Sequence, residues 1–205
     1  MNYLSVEEIS KSFGERSIFE KLTFGIEQGQ KVAIVAKNGA GKTTLLSAML
    51  EMTEVTERIL ILEDTHELRI DHPHVVQMQS KLANSDGAGE WNMQDLIRQA
   101  LRMRPTRIVM GEVRGREIID FLLALNTGHD GGCGTIHANS ALEALEKLKL
   151  LPLLAGENIP ASFVSQTVER TIGLVVHCRM DNQGKREVSQ VIKSDGQGNW
   201  VEVRL

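Results

Sequence analysis

Residues Val32–Leu46, VAIVAKNGAGKTTLL, leave this chain few folds to choose from. A short apolar strand runs into a glycine-rich turn, and the turn opens into a helix. Gly39, Gly41, Lys42 and Thr43 supply most of the phosphate-binding pattern G-x-x-x-x-G-K-[ST]. Glycines let backbone N–H groups close around phosphate oxygens, and the helix N-terminus adds partial positive charge at the same point. Asn38, Gly39, Ala40, Gly41, Lys42, Thr43 and Thr44 are therefore the expected phosphate-contacting run. Lys42 can reach the β- and γ-phosphates, and the Thr43 hydroxyl can sit on Mg²⁺. Ala36 stands where the pattern has its first glycine. A left-handed backbone there would cost about 1–2 kcal/mol, whereas a negative φ carries no penalty.

Apolar runs and turn residues set out the rest. Tyr3–Phe13 and Lys21–Glu27 read as two strands around a turn at residues 14–17, and Lys31–Ala36 as the strand before the loop. The helix after the loop spans Lys42–Glu51. RILIL at Arg58–Leu62 and RIVM at Arg107–Met110 are short apolar runs bounded by charge, as buried parallel strands are. Val75–Gln79 is a further strand candidate. Met93, Leu96, Ile97, Ala100 and Leu101 have helical spacing, which predicts a helix over Asn92–Arg102. Helices follow at Glu117–Asn126, at Ala141–Leu151 (ended by Pro152) and at Ala161–Thr171, with a short strand at Thr135–His137. Gly173–Arg179, Glu187–Lys193 and Trp200–Leu205 read as a small antiparallel meander.

Strands alternating with helices predict an α/β fold. The expected architecture is a three-layer P-loop domain with a mainly parallel sheet, an N-terminal β-hairpin and a C-terminal meander. Within one compact domain, residues 1–46 give the hairpin and phosphate loop, 47–172 the core and 173–205 the meander.

In a parallel sheet, ligands gather at the carboxyl ends of strands. Glu63 and Asp64 follow RILIL, Glu112 follows RIVMG and His137 follows GTI. An acid there can serve as a general base or as a Mg²⁺ contact near a γ-phosphate. One such acid could equally cap the next helix, but two beside a phosphate loop favour chemistry. His137 fits a γ-phosphate sensor or a hydrogen-bonded structural histidine. Arg102, Arg104, Arg107, Arg114 and Arg116 cluster around the second acid. Arginine's planar fork suits phosphate, and Arg114 is the candidate, the others reading partly as a solvated face. His72 and His74 are expected at the surface, Trp91 as a packing anchor, and Met93, Met103 and Met110 in the core.

A net charge of −4 and a pI near 5.9 argue against a chain-wide nucleic-acid surface. Cys133 and Cys178 lack metal-ligand spacing and read as reduced cytosolic thiols. No apolar run reaches the roughly 18 residues of a membrane span, and MNYLSVEEIS has no basic-then-apolar leader.

Two resemblances can be placed on these residues. LSVEEISKSFGERSIFEKLTFGIEQGQKVAIVAKNGAGKTTLL, ending at Leu46, resembles the opening of an ATP-binding cassette domain, nearest to soluble duplicated cassette proteins that act on ribosomes. That resemblance implies that Phe13 stacks on adenine, a contact worth on the order of 1 kcal/mol; Phe13 also fits a hairpin core. From about Thr53 to Lys193 the chain resembles the secretion ATPases of type II and type IV systems, nearest to conjugal-transfer and pilus-assembly members. ERILILEDTHELRI, WNMQDLIRQALRMRPTRIVMGEVRGREIIDFLLALNTGHDGGCGTIHANS and VVHCRMDNQGKREVSQV carry it.

The second resemblance puts Glu63 and Asp64 in an Asp box, Glu112 in a Walker B motif and His137 in a His box. It implies that Glu63 polarises the attacking water, that Glu112 acts on Mg²⁺ or its waters, and that His137 senses the γ-phosphate. It further implies Mg²⁺-dependent hydrolysis of ATP, a hexamer with neighbours supplying arginines, and a place in the cytoplasm or peripherally at the inner membrane. Thr106 stands where Asp is common in that family. The cassette signature LSGGQ does not occur, and the secretion ATPases' separate N-terminal domain has no counterpart in these residues. The expectation is a recombined chain, engineered or a natural fusion, joined around Leu46–Glu54. Its activity is ATP hydrolysis or, alternatively, nucleotide binding with negligible turnover.

Overall fold

The computed structural model describes residues 2–13, 16–27, 29–154, 156 and 158–203; between residues 2 and 22 the side chains described are those of Val6, Glu8 and Ser10. The chain runs β1 (Asn2–Phe13), β2 (Arg16–Glu27), β3 (Lys31–Val35), α1 (Lys42–Glu51), β4 (Ile59–Glu63) and β5 (Val75–Gln79). It continues with α2 (Met93–Ala100), a 3-10 turn (Leu101–Met103), β6 (Arg107–Val113), α3 (Glu117–Leu125), β7 (Cys133–Ile136) and α4 (Ala141–Leu154). α5 (Ala161–Thr171), β8 (Ile172–Met180), β9 (Arg186–Ser194) and β10 (Trp200–Val203) complete it.

β1 and β2 pair antiparallel as a separate two-stranded sheet. The other strands form one sheet in the order β10-β9-β8-β3-β7-β6-β4-β5. From β8 to β5 every pairing is parallel, while β9 and β10 are antiparallel additions at one edge. The meander expected over residues 173–205 therefore extends the main sheet, with β8 lying directly beside the strand of the phosphate loop.

Burial of both sheet faces explains the unbroken apolar runs. In β4 all residues are buried. Leu60 and Leu62 pack with Ile108, Met110 and the helices α2–α5, while Ile59 and Ile61 turn to the other face, against Leu45, Leu46, Met49 and Leu50 of α1. Strand alternation thus builds two cores, one on each side of the sheet. Val32, Ile34 and Leu46 share a core with Ile59, Val109 and Leu174, so packing is continuous across residues 46–54.

α2 is fixed at its start by a reciprocal cap: the Asp95 N–H donates to Asn92 Oδ1 at 3.0 Å, and the Asn92 N–H donates to Asp95 Oδ2 at 3.3 Å. Asn92→Ala is expected to lower unfolding free energy by about 1 kcal/mol in a urea titration.

The elements differ from the sequence expectation in a few places. β2 starts at Arg16 and β7 at Cys133, each earlier than expected. α4 runs through Pro152 to Leu154; proline's fixed φ is helical, and its missing N–H takes one bond from the last turn. Trp91 is no packing anchor: it is 46% exposed and closes its loop through backbone bonds to Lys81. Met93 and Met110 are buried and Met103 packs against the core. The Phe13 side chain lies outside the described residues.

Candidate functional site

The phosphate loop joins β3 to α1 at the carboxyl edge of the parallel sheet. Gly39 and Gly41 have φ of 76° and 96°, a region closed to most side chains. Among the described residues the only non-glycines with positive φ are Glu8 and Arg104, so Ala36 carries no left-handed strain. Ala36 is fully buried, and its N–H donates to Ile136 O at 3.4 Å, tying the loop's entry to β7.

Lys42 opens α1 and is only 8% exposed. Its Nζ lies 3.4 Å from Ala36 O and 3.0 Å from His137 Nδ1. Burial pulls this ammonium below its ordinary range, opposed chiefly by the nearby charge of Glu112. His137 Nε2 is 2.9 Å from Glu112 Oε1, and Arg114 Nη2 donates to Glu112 Oε2 at 2.9 Å. Arg114 Nη1 also lies 3.8 Å from Asp64 Oδ2. His137 Nδ1 thus faces both Lys42 Nζ and Ala36 O, the latter at 3.2 Å, while Nε2 faces Glu112. Burial alone would raise the Glu112 carboxyl; the Arg114 hydrogen bond and the charges of His137, Arg114 and Lys42 outweigh it and hold the group below the usual range. Arg114 is raised by the same bond.

A local irregularity aims Glu112. Met110 pairs with Gly134 and Val113 with Ile136, so β6 carries an extra residue at Gly111–Glu112. Such a bulge bends the strand and re-aims its side chains. Gly111 is required there, since a Cβ would stand 2.8 Å from Glu63 Cγ.

Glu63 lines a small cavity with Thr43, Asp64, Glu67, Glu112 and Arg114, and its Oε2 lies 3.5 Å from His66 Nδ1. It is 3% exposed, and its Oε1 accepts the N–H groups of Glu67 at 3.0 Å and Leu68 at 2.9 Å. It holds the turn after β4, and that turn carries Glu67 to the loop, where Glu67 Oε2 accepts from Thr43 Oγ1 at 3.4 Å. Glu67 escapes a reading that inspects only the residues directly after apolar strands; the reach of the turn is what brings it in.

A cavity of about 700 Å³ is lined by the loop residues Asn38, Gly39, Gly41, Lys42, Thr43 and Thr44 together with Glu67, Glu112, Arg114 and His137. Ala40 instead faces a neighbouring cavity beside β8. Arg186 of β9 also lines the first cavity, and no sequence spacing links it to the loop. Of the other arginines, Arg107 is buried against Glu57, while Arg102, Arg104 and Arg116 are exposed outside the cavity. His72 and His74 are exposed or partly so and bond to each other and to Glu54 O. Burial pushes both Cys133 and Cys178 up to about 12, so neither thiol is reactive at neutral pH. Among the described residues no cluster of His, Cys, Asp and Glu forms a preformed metal cage, and no helix is long and apolar enough to cross a membrane.

The profile of the Type II/IV secretion system protein family matches residues 10–200. A putative conjugal transfer protein of Mycobacterium tuberculosis is 44% identical over 153 residues, covering 75% of this chain and 43% of that protein. The type IV secretion system protein PtlH of Bordetella pertussis is 36% identical over 183 residues, covering 85% and 53%. The VirB11 ATPase of the Brucella suis type IV secretion system, solved in complex with sulphate, superposes with a TM-score of 0.69 at 28% identity, over 80% of this chain and 48% of that one. The pilus retraction motor PilT shares the fold, with a TM-score of 0.60 at 22% identity over 79% of this chain and 47% of that one. The chain spans about half the length of the curated relatives it matches. The family match passes through the phosphate loop without a break at residues 46–54, so the expected cassette-derived first half finds no support. The chain belongs to the Type II/IV secretion system protein family.

Proposed function

We propose that this chain binds ATP at the strand-end cavity and hydrolyses its terminal phosphate bond, giving ADP and phosphate. The observation that carries this reading is the convergence of Lys42, Thr43, Glu112 and His137 on one cavity. They come from the ends of three adjacent parallel strands. The loop N–H groups and Lys42 hold the β- and γ-phosphate oxygens. His137 stands between Lys42 and Glu112 and feels the arrival of the γ-phosphate through both. Glu63 polarises the attacking water together with Glu112 and Glu67, which line the same small cavity beside Thr43, and its Oε1 also holds the turn that carries Glu67. Arg114 balances charge at the cavity mouth. Catalysis of this kind is mostly positioning and electrostatics.

The Thr43 hydroxyl and the carboxylates of Glu67 and Glu112 form an all-oxygen donor set that suits Mg²⁺. The ion when bound neutralises charge on the β- and γ-oxygens. Phosphate release from ATP is expected to stop when EDTA is added and to return with excess Mg²⁺. Release that is indifferent to EDTA would contradict this reading.

A second reading is nucleotide binding with negligible turnover. It is favoured by the engagement of both Glu112 oxygens, by His137 and Arg114. The two readings separate when ADP production is followed beside nucleotide binding on the same preparation. Assembly as a hexamer, and a place in the cytoplasm or at the inner membrane, extend the first reading from the chain's relatives; light scattering with and without ATP tests the assembly. A recombined origin adds nothing to this account, since one family match covers the loop and the strand-end acids together.

A further inference from the structure

Arg186 approaches the phosphate loop from the antiparallel edge of the sheet. The turn at residues 181–185 joins β8 to β9, and Met180 pairs with Arg186 where the hairpin begins. That register sets Arg186 over the strand ends, next to the loop. Its Nε donates to Gly39 O at 2.6 Å. Gly39 O and the Ala40 N–H belong to one rigid peptide plane and point in opposite directions. The Ala40 N–H donates to Lys37 O at 3.3 Å, so this peptide is held from both sides.

The bond to Gly39 uses only Nε. A guanidinium has further N–H groups on Nη1 and Nη2, in a fork that matches phosphate oxygens. Arg186 lines the same cavity as Lys42 and Thr44. Other arginines are neutralised by carboxylates: Arg107 by Glu57, Arg114 by Glu112 and Arg179 by Glu187. Among the described residues no carboxylate pairs with Arg186.

We propose that Arg186 grips the phosphate chain of the bound nucleotide from within the same chain, as a second cation beside Lys42, while its Nε keeps the loop in its binding shape. The inference rests on the nucleotide reading of the cavity. It adds a charge contact from β9, an element outside the loop and the strand-end acids.

The test is calorimetric titration of pyrophosphate and of ATP into wild type, Arg186→Gln and Arg186→Lys, with the melting temperature of each unliganded protein recorded. Gln can still donate to Gly39 O but has no charge; Lys keeps the charge. Arg186→Gln is expected to bind both ligands roughly tenfold or more weakly, with an unchanged unliganded melting temperature. Arg186→Lys is expected to recover binding to within a few-fold. Wild-type affinity in Arg186→Gln, or no recovery in Arg186→Lys, reduces the role to loop geometry and overturns the proposal. A wild type that binds neither ligand overturns the nucleotide reading as well, whereas a binding wild type with an indifferent Arg186→Gln overturns this inference alone.

Discussion

Glu112→Gln is expected to bind ATP within a few-fold of wild type and to release phosphate roughly 10²–10³-fold more slowly. The substitution keeps the shape of the side chain and removes its charge. In the native site that charge accepts from His137 Nε2 and Arg114 Nη2. It is also one of the carboxylates able to orient water against the γ-phosphate. Binding relies on Lys42 and the loop N–H groups, which the change leaves in place. Fluorescent-nucleotide titration measures the first quantity and single-turnover phosphate release the second. Equal loss of both would mean that Glu112 mainly shapes the cavity. Unchanged release would remove it from the chemistry.

Glu57→Ala is expected to destabilise the fold by about 3–5 kcal/mol. Arg107 is 4% exposed at the start of β6, with Nε 2.8 Å from Glu57 Oε2 and Nη2 2.9 Å from Oε1. Its Nη1 donates to Gly131 O. A Cβ on Gly131 would stand 2.2 Å from that same Nη1, and its φ is 71°, so glycine serves both the approach and the turn. The pair joins the entries of β4 and β6 at the sheet edge opposite the phosphate loop. Removing Glu57 leaves a guanidinium in the interior without its bidentate partner, and the cost of an uncompensated buried charge dominates. For a chain of this size the loss corresponds to a fall in melting temperature of about 10 °C. The double variant Glu57→Ala with Arg107→Met is expected to recover a large part of it, since two apolar groups leave no stranded charge. Thermal unfolding of the single and double variants checks both statements. A single variant within about 1 kcal/mol of wild type would mean that water or neighbouring groups compensate Arg107.

The parts of the fold that could be read in the sequence are those where one local rule acts alone. The phosphate loop is visible because its glycines must sit at positive φ before a helix. β4 and β6 are visible because burial on both faces removes alternation. α2 is visible because Met93, Leu96, Ile97 and Ala100 have helical spacing. Tertiary context hid the rest. Glu63 ends an apolar strand as expected, but nothing in the sequence shows that its Oε1 also holds the turn that brings Glu67 to Thr43. Arg186 lies far from the loop in sequence and joins it only because β9 adds to the sheet beside β8. The aim of Glu112 depends on a bulge that shows only in the pairing of β6 with β7. The change of resemblance near residue 46 reads as a seam in sequence, but the residues on either side of it share one core and one family match.

The central question is whether this constellation hydrolyses the loop-bound nucleotide. The most direct measurement is phosphate release from Mg²⁺-ATP by wild type and by Lys42→Ala under single-turnover conditions, with ADP affinity measured in parallel. Lys42 is the buried cation at the centre of the site, bonded to Ala36 O and His137. Wild type is expected to release phosphate above the buffer rate, and Lys42→Ala to fall to the buffer rate with weakened nucleotide binding. Wild-type release no faster than that of Lys42→Ala, at saturating ATP, would contradict the account.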